Sequence, residues 1–136
     1  MFAKELILCR MIDMRSFLSA VNIELPLRIS FSSWDETTLV ISGESWSFST
    51  QSVWRIFDGK GIFLGCLDDQ SLEVSSILNG STVVGVDFQS PDRPIDLVFR
   101  LEGGKDLEIF STDLDEPWVL TLPQFGVFVG SGERIL

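Results

Sequence analysis

Carboxylates are the side chains of this sequence that are best placed to do chemistry. Twenty of the 136 residues are Asp or Glu, and the chain contains no His and no Tyr. Adjacent acids such as Asp68 and Asp69 could act as a general acid–base pair. With twenty acids, however, neighbouring carboxylates also arise by chance. The absence of His excludes a Ser–His or Cys–His nucleophile. We therefore predict a non-catalytic protein, with no catalytic residues.

Two short motifs resemble ligand sites without meeting their requirements. The run DLDE holds Asp113, Asp115 and Glu116, whose oxygens suit calcium, but Trp118 stands where an EF-hand loop needs its Gly. The run GKGIFLG at 59–65 has spaced glycines, yet it leads into a predicted strand rather than the helix N-terminus of a phosphate loop. Cys9 and Cys66 have no His to complete a zinc site. We predict no metal and no cofactor.

The acidic charge is unevenly distributed along the chain. The net charge of −10 argues against nucleic-acid binding. Residues 68–136 carry thirteen acids and four bases, a net −9, whereas residues 1–67 have a net −1. This asymmetry predicts a basic partner, although acids also keep a small β-protein in solution. Trp118 follows three acids closely and is either a core residue or an interface residue. The candidate partner-binding residues are Asp68, Asp69, Asp106, Glu108, Asp113, Asp115, Glu116 and Trp118.

The hydrophobic pattern predicts a mostly β protein of the α+β class. Apolar positions at helical spacing predict an N-terminal helix over residues 3–20, ending at Asn22. From residue 25 onward, short alternating runs between turn residues predict an antiparallel β core, as a sandwich or a partly open barrel. One short helix is expected near residues 69–79. We expect Asp68 or Asp69 to cap it, Leu72, Ile77 and Leu78 to face inward, and Gly80 to end it.

The chain length suits a single domain spanning residues 1–136. No apolar run is long enough to cross a membrane, and the N-terminal region lacks the continuous apolar core of a signal peptide. These features predict a cytoplasmic protein with no membrane partner. In that compartment Cys9 and Cys66 are expected to be buried thiols. The oligomeric state is left open.

The stretch DLVFRLEGGKDLEIF, from Asp96 to Phe110, is predicted to form a hairpin. A two-residue turn at Gly103 and Gly104 would bury carboxylates opposite apolar side chains, at a cost of several kcal/mol each. We therefore predict a three-residue loop or a bulge, with one of these glycines at positive φ. The predicted pairs are Leu101 with Leu107, Phe99 with Ile109, Arg100 with Glu108, and Val98 with Phe110. We expect the N-terminal helix to half-cover the face that holds Val98 and Phe110.

From residue 54 to residue 123, the order of the runs WRIFDGKGIFLGCLDD, ILNGSTVVGVDF, DLVFRLEGGKDLEIF and EPWVLTLP carries a resemblance. It resembles a group of small bacterial β-proteins found with polymorphic and contact-dependent inhibition toxin systems, many of which act as immunity proteins. The resemblance implies a non-catalytic protein that binds and neutralises a cognate toxin domain. It also implies that a basic toxin, such as a nuclease, would meet an acidic surface.

Two other functions remain open from the residues alone. The first is a small-ligand-binding or carboxylate-dependent enzyme of β-barrel type, which would need a deep pocket lined by Asp or Glu. The second is a structural or oligomerisation domain, with aromatic side chains at a self-interface.

Overall fold

The computed structural model describes residues 14–90, 95–112, 117–131 and 134–135. Two α-helices, one 3-10 turn and twelve strands lie within these residues. The helices are α1 (Met14–Glu24) and α2 (Val74–Leu78), with the 3-10 turn at Ser71–Glu73. The strands are β1 (Leu27–Arg28), β2 (Phe31–Trp34), β3 (Leu39–Ser42), β4 (Ser47–Thr50), β5 (Val53–Phe57), β6 (Ile62–Gly65), β7 (Thr82–Phe88), β8 (Leu97–Leu101), β9 (Asp106–Phe110), β10 (Trp118–Leu122), β11 (Gly126–Ser131) and β12 (Arg134–Ile135).

The strands form two six-stranded antiparallel sheets that are not closed into a barrel. The first sheet has the order β1-β7-β8-β9-β5-β6, and the second has the order β12-β11-β10-β4-β3-β2. Alternate residues of both sheets enter one hydrophobic cluster, which also takes side chains from α1 and α2. The predicted class, mostly β with an N-terminal helix and one short helix, is confirmed.

The run LRISFSSW, which alternates like one strand, is divided between the two sheets. Leu27 and Arg28 pair with β7 in the first sheet, whereas Phe31 to Trp34 pair with β3 in the second. Ile29 lies between the two pieces and is fully buried. A strand that changes sheets in this way forms a corner of the packed pair. The apolar residues of this one run therefore contribute to the core from both sheets.

Helix α1 packs into the core rather than over an outer sheet face. Its buried side includes Phe17, whose ring lies 5.7 Å from that of Phe88 and 5.2 Å from that of Phe128, measured between centroids. These two partners belong to different sheets, so α1 bridges them. Val98 is only 3% exposed, but residues 3–13 of the predicted helix lie outside the described residues, so the prediction that the helix half-covers the face of Val98 and Phe110 stays a prediction. The predicted stop at Asn22 is wrong: α1 ends at Glu24, because Pro26 disfavours the helical conformation at the residue before it.

The short helical segment forms where it was predicted but is capped differently. Gln70 precedes the 3-10 turn, and its side chain makes no capping hydrogen bond. Val74 and Leu78 are its buried apolar residues, whereas Leu72 is 58% exposed. The inward placement predicted for Leu72 is therefore wrong, because the 3-10 turn rotates it away from the face that continues into α2. Gly80 has a φ of +84° and follows the helix as predicted.

The β8–β9 hairpin has the predicted loop length but a different register. The N–H of Leu101 donates to the carbonyl of Lys105 at 2.8 Å, which leaves Glu102, Gly103 and Gly104 as a three-residue loop. Both glycines have positive φ, +101° and +97°. Observed pairs are Val98 with Glu108, Phe99 with Leu107 and Arg100 with Asp106, two residues from the predicted ones. Registers that differ by two residues keep the same faces, so the apolar alternation does not distinguish them.

Candidate functional site

Strand β6 is one of the two edge strands of the first sheet within the described residues, and Asp68 closes part of its outer edge. In an antiparallel pair, consecutive residues direct their backbone groups alternately towards and away from the partner. The N–H of Cys66 donates to Trp54 in β5, so the N–H of Gly65 faces away from β5. The carboxylate of Asp68 accepts a hydrogen bond from this N–H at 2.8 Å. Asp68, predicted to bind a partner, therefore has a local structural role.

The segment after β6 presents acidic and apolar side chains together to solvent. We call residues 66–73 the Leu67 turn. Leu67 is 90% exposed, and Asp69, Leu72 and Glu73 are exposed with it. Within the described part of the chain, neither Asp69 nor Glu73 forms an ion pair. Leu67 and Glu73 were not among the predicted site residues, and the signal that could have indicated them is an aliphatic residue directly before two acids in a turn.

Asp113, Asp115 and Glu116 lie outside the described residues, but the chain is fixed on both sides of them. The backbone N–H of Thr112 donates to the hydroxyl of Ser52 at 3.2 Å. The carbonyl of Pro117 accepts hydrogen bonds from the hydroxyls of Thr50 and Ser52. The segment of residues 113–116 therefore starts and ends beside Ser52, which precedes β5.

Strand order brings these flanks to the same end of the first sheet as the Leu67 turn. In the sheet, β5 lies between β9 and β6. Val53, at the start of β5, pairs with Phe110 at the end of β9, and Trp54 bonds to Cys66 just after β6. Strands two positions apart are separated by about 10 Å. The Leu67 turn and the flanks Thr112 and Pro117 therefore lie at the same end of the first sheet, although they are far apart in sequence.

Asp106 and Glu108 lie on the outer face of the first sheet, where arginines neutralise them. Asp106 lies 3.2 Å from a guanidinium nitrogen of Arg100, measured from its carboxylate oxygen. Glu108 forms an ion pair with Arg55, its direct cross-strand neighbour. Arg100 also lies 4.0 Å from a carboxylate oxygen of Asp87. Each of these two predicted acids is therefore paired with an arginine across the sheet, and Arg100 is shared between Asp106 and Asp87.

At the opposite end of β6, the ammonium group of Lys105 lies over an aromatic ring of this strand. The Lys105 nitrogen lies 4.8 Å above the centre of the Phe63 ring. Nearby, hydrogen bonds from the backbone N–H groups of Lys60 and Gly61, with a smaller contribution from the charge of Lys105, lower the pKa of Asp58. A cavity of about 250 Å³ beside Phe63 is lined by both Glu102 and Lys105. The charges at this end are thus matched within the chain.

Trp118 is fully buried, at 0% exposure, and not part of an exposed contact surface. Its indole N–H donates to the carbonyl of Ile95 at 2.9 Å, and its ring lies 5.5 Å from that of Phe17 between centroids. Gly130 makes room for it, since a Cβ there would lie 2.8 Å from the indole. Placing Trp118 among the partner-binding residues was therefore wrong, and the core alternative is correct.

One cleft holds the carboxylates that a ligand-binding function would need. It has a volume of about 430 Å³ and is lined by Glu24, Arg28, Glu44 and Trp46, among others. One carboxylate oxygen of Glu24 is buried without a hydrogen-bond partner in the described structure. Trp46 donates its indole N–H to the carbonyl of Arg28 at 2.9 Å and is thereby held in place. Among the described residues, no group of three His, Cys, Asp or Glu side chains could hold a metal ion.

Comparison with family models, with curated proteins and with solved structures found no match for this chain. Over the part of the chain that the structure describes, no helix combines the length and the apolar character needed to cross a membrane.

Proposed function

We propose that this chain is a non-catalytic protein-binding module whose Leu67 turn docks on a basic partner. The observation that carries the proposal is the convergence at one end of the first sheet. There, Asp69 and Glu73, which form no ion pair among the described residues, are exposed together with Leu67, and the two flanks of the 113–116 acidic segment lie at the same end of the sheet.

The composition of the Leu67 turn suits an interface. An exposed Leu can enter an apolar pocket of a partner, while surrounding carboxylates meet basic groups at the rim. Residues 58–73, which include β6, hold four acids and one base, a net −3. Such a charge steers a basic protein towards the surface and accelerates association. A single exposed Leu does not by itself indicate an interface, so the proposal depends on the acids beside it as well.

The resemblance to immunity proteins makes a cognate toxin domain the expected partner, in a bacterial cytoplasm. An acidic surface can occupy the anion-binding groove of a nuclease and so block its substrate. The cytoplasmic location and the toxin partner are both parts of this proposal.

The first experiment asks whether a large reading frame lies immediately upstream of the gene, and takes the domain that it encodes as the candidate toxin domain. We expect the purified domain to bind this chain with an affinity that falls as salt rises, because screening weakens attraction between opposite charges. Absence of binding, together with no protection of cells that express the toxin domain, would reject the proposal.

The second experiment reverses charges in two matched places. Asp69→Lys with Glu73→Lys should weaken binding at least about tenfold, or about 1.4 kcal/mol, and should reduce the salt dependence. Glu44→Lys with Glu102→Lys makes the same change in net charge at two exposed acids elsewhere. Equal weakening by both variants would indicate long-range attraction only and would place the contact away from the Leu67 turn.

A further inference from the structure

Asn79 is followed by Gly80 at the point where α2 ends and the chain turns towards β7. An Asn–Gly pair is the least hindered setting for deamidation, because glycine has no Cβ to obstruct the approach of its backbone nitrogen to the Asn side chain. The only other Asn of the sequence, Asn22, is followed by the branched Ile23. The sequence therefore has one Asn at which this reaction is intrinsically fast.

Deamidation here is a ring closure followed by hydrolysis. The backbone nitrogen of Gly80 loses its proton to the solvent and attacks Cγ of Asn79. The Cγ–Nδ2 bond breaks, and Nδ2 takes up a proton and leaves as ammonia. Water then opens the five-membered imide at either carbonyl, which yields aspartate or isoaspartate at position 79. One water is consumed and one ammonia is released, so the reaction requires no oxidant and no other reactant.

The folded structure holds Asn79 out of the reactive geometry. Ring closure requires the Gly80 nitrogen on the same side as the Cβ of Asn79, and hence a strongly negative ψ, whereas Asn79 has a φ of −62° and a ψ of 125°. The N–H of Gly80 also donates to the carbonyl of Ile29 at 2.8 Å. The reaction therefore requires a local opening of the backbone.

Contacts between α2 and β2 keep this part of the backbone closed. The hydroxyl of Ser32, a residue that is 5% exposed, donates to Oδ1 of Asn79 at 2.7 Å. The hydroxyl of Ser75 in α2 donates to the carbonyl of Ser32 at 3.3 Å. The N–H of Asn79 donates in turn to the carbonyl of Ser75 at 2.9 Å. Separation of α2 from β2 therefore releases both the side chain and the backbone of Asn79.

We propose that Asn79 is a latent deamidation site, which the contact of α2 with β2 closes and which reacts when α2 separates from β2. The product records the opening, because the released ammonia is lost to solvent. Isoaspartate adds one atom to the main chain before Gly80, so the hydrogen bond to Ile29 cannot keep its geometry. Ile29 is the buried residue at which the chain passes between the two sheets. Conversion to isoaspartate therefore weakens this corner and favours further opening.

Peptide mapping by mass spectrometry, on the purified chain in mildly alkaline buffer, measures the deamidation rates of Asn79 and Asn22. We expect Asn79 to react at least about a hundredfold more slowly in the folded chain than in concentrated guanidinium chloride, because the open state is rarely populated. Asn22 should react far more slowly than Asn79 in the denaturant. A folded chain that reacts as fast as the denatured one, or a denatured chain that does not react at Asn79, would overturn the proposal.

Three serine variants test which contact closes the site. Ser32→Ala and Ser75→Ala each remove a hydroxyl that joins α2 to β2, and each should raise the rate at Asn79 about fivefold or more. Ser76→Ala is the matched control, because its hydroxyl donates to the carbonyl of Glu73 in the same helical segment, and it should change the rate less than about twofold. Circular dichroism confirms that each variant is folded. Wild-type rates in both Ser32→Ala and Ser75→Ala, or an equal rise with Ser76→Ala, would show that the contact of α2 with β2 does not close the site.

Discussion

The carboxylate of Asp68 caps the outward-facing N–H of Gly65 on the edge strand β6. An uncapped edge strand is a template for pairing with another chain, and natural sheets often protect it with a charged side chain. Asp68, which the sequence analysis predicted to bind a partner, therefore also protects β6 from pairing with a further strand. Its neighbour Asp69 is exposed and forms no ion pair among the described residues.

Asp68→Ala should destabilise the fold and expose the edge. We expect a loss of about 1–2 kcal/mol in the free energy of unfolding, because a charge-assisted hydrogen bond is removed. Urea unfolding followed by circular dichroism measures this loss, and light scattering detects any new association. Asp69→Ala is the matched control. If both variants unfold at the same urea concentration, the hydrogen bond to Gly65 does not contribute as described.

Trp118→Ala should remove one of the largest side chains of the core. We expect a loss of about 3–5 kcal/mol, whereas Trp118→Phe should lose less because the ring is partly replaced. The indole hydrogen bond to Ile95 is absent in both variants. Urea unfolding by far-ultraviolet circular dichroism gives both values. A Trp118→Ala variant of wild-type stability would contradict the burial of this residue.

The ion pair of Arg100 and Asp106 should contribute little to stability. A double-mutant cycle with alanine at both positions is expected to give a coupling of about 0.2–1 kcal/mol, as is usual for an exposed pair. None of these variants should change the affinity for the toxin domain by more than about twofold. A tenfold loss with Asp106→Ala would instead return this outer face to the binding surface.

Asp35 should make the fold sensitive to acid. Hydrogen bonds from the Thr37 hydroxyl and from the backbone N–H groups of Thr38 and Thr37 lower the pKa of this carboxyl from 3.8 to about 2. The charged form therefore stabilises the fold above pH about 4, and this stabilisation is lost as the pH falls through about 2. Asp35→Asn keeps an acceptor but not the charge, so its melting temperature should fall less than that of wild type between pH 4 and 2. Equal falls would contradict this role.

The elements that the sequence predicted well are those with local signals. Alternation and turn residues located the strands, and Gly103 with Gly104 indicated the loop length. Apolar alternation could not distinguish registers two residues apart, so the hairpin pairs were wrong. Trp118 was included among the candidate binding residues because three acids lie near it in sequence, whereas its ring packs against Phe17 in the core. The hydrogen bond from the Ser52 hydroxyl to the carbonyl of Pro117 and the pairing of β4 with β10 both join parts of the chain that are distant in sequence. The sequence alone therefore did not indicate the Leu67 turn.

The most direct measurement of the central claim is the dissociation constant of the Leu67→Ser variant for the candidate toxin domain. Ile23→Ser, which removes an exposed aliphatic side chain from α1, is the matched control. We predict that Leu67→Ser weakens binding at least about tenfold, because Leu67 is the apolar centre of the contact, and that Ile23→Ser changes it less than about twofold. Wild-type affinity for Leu67→Ser would contradict docking through the Leu67 turn.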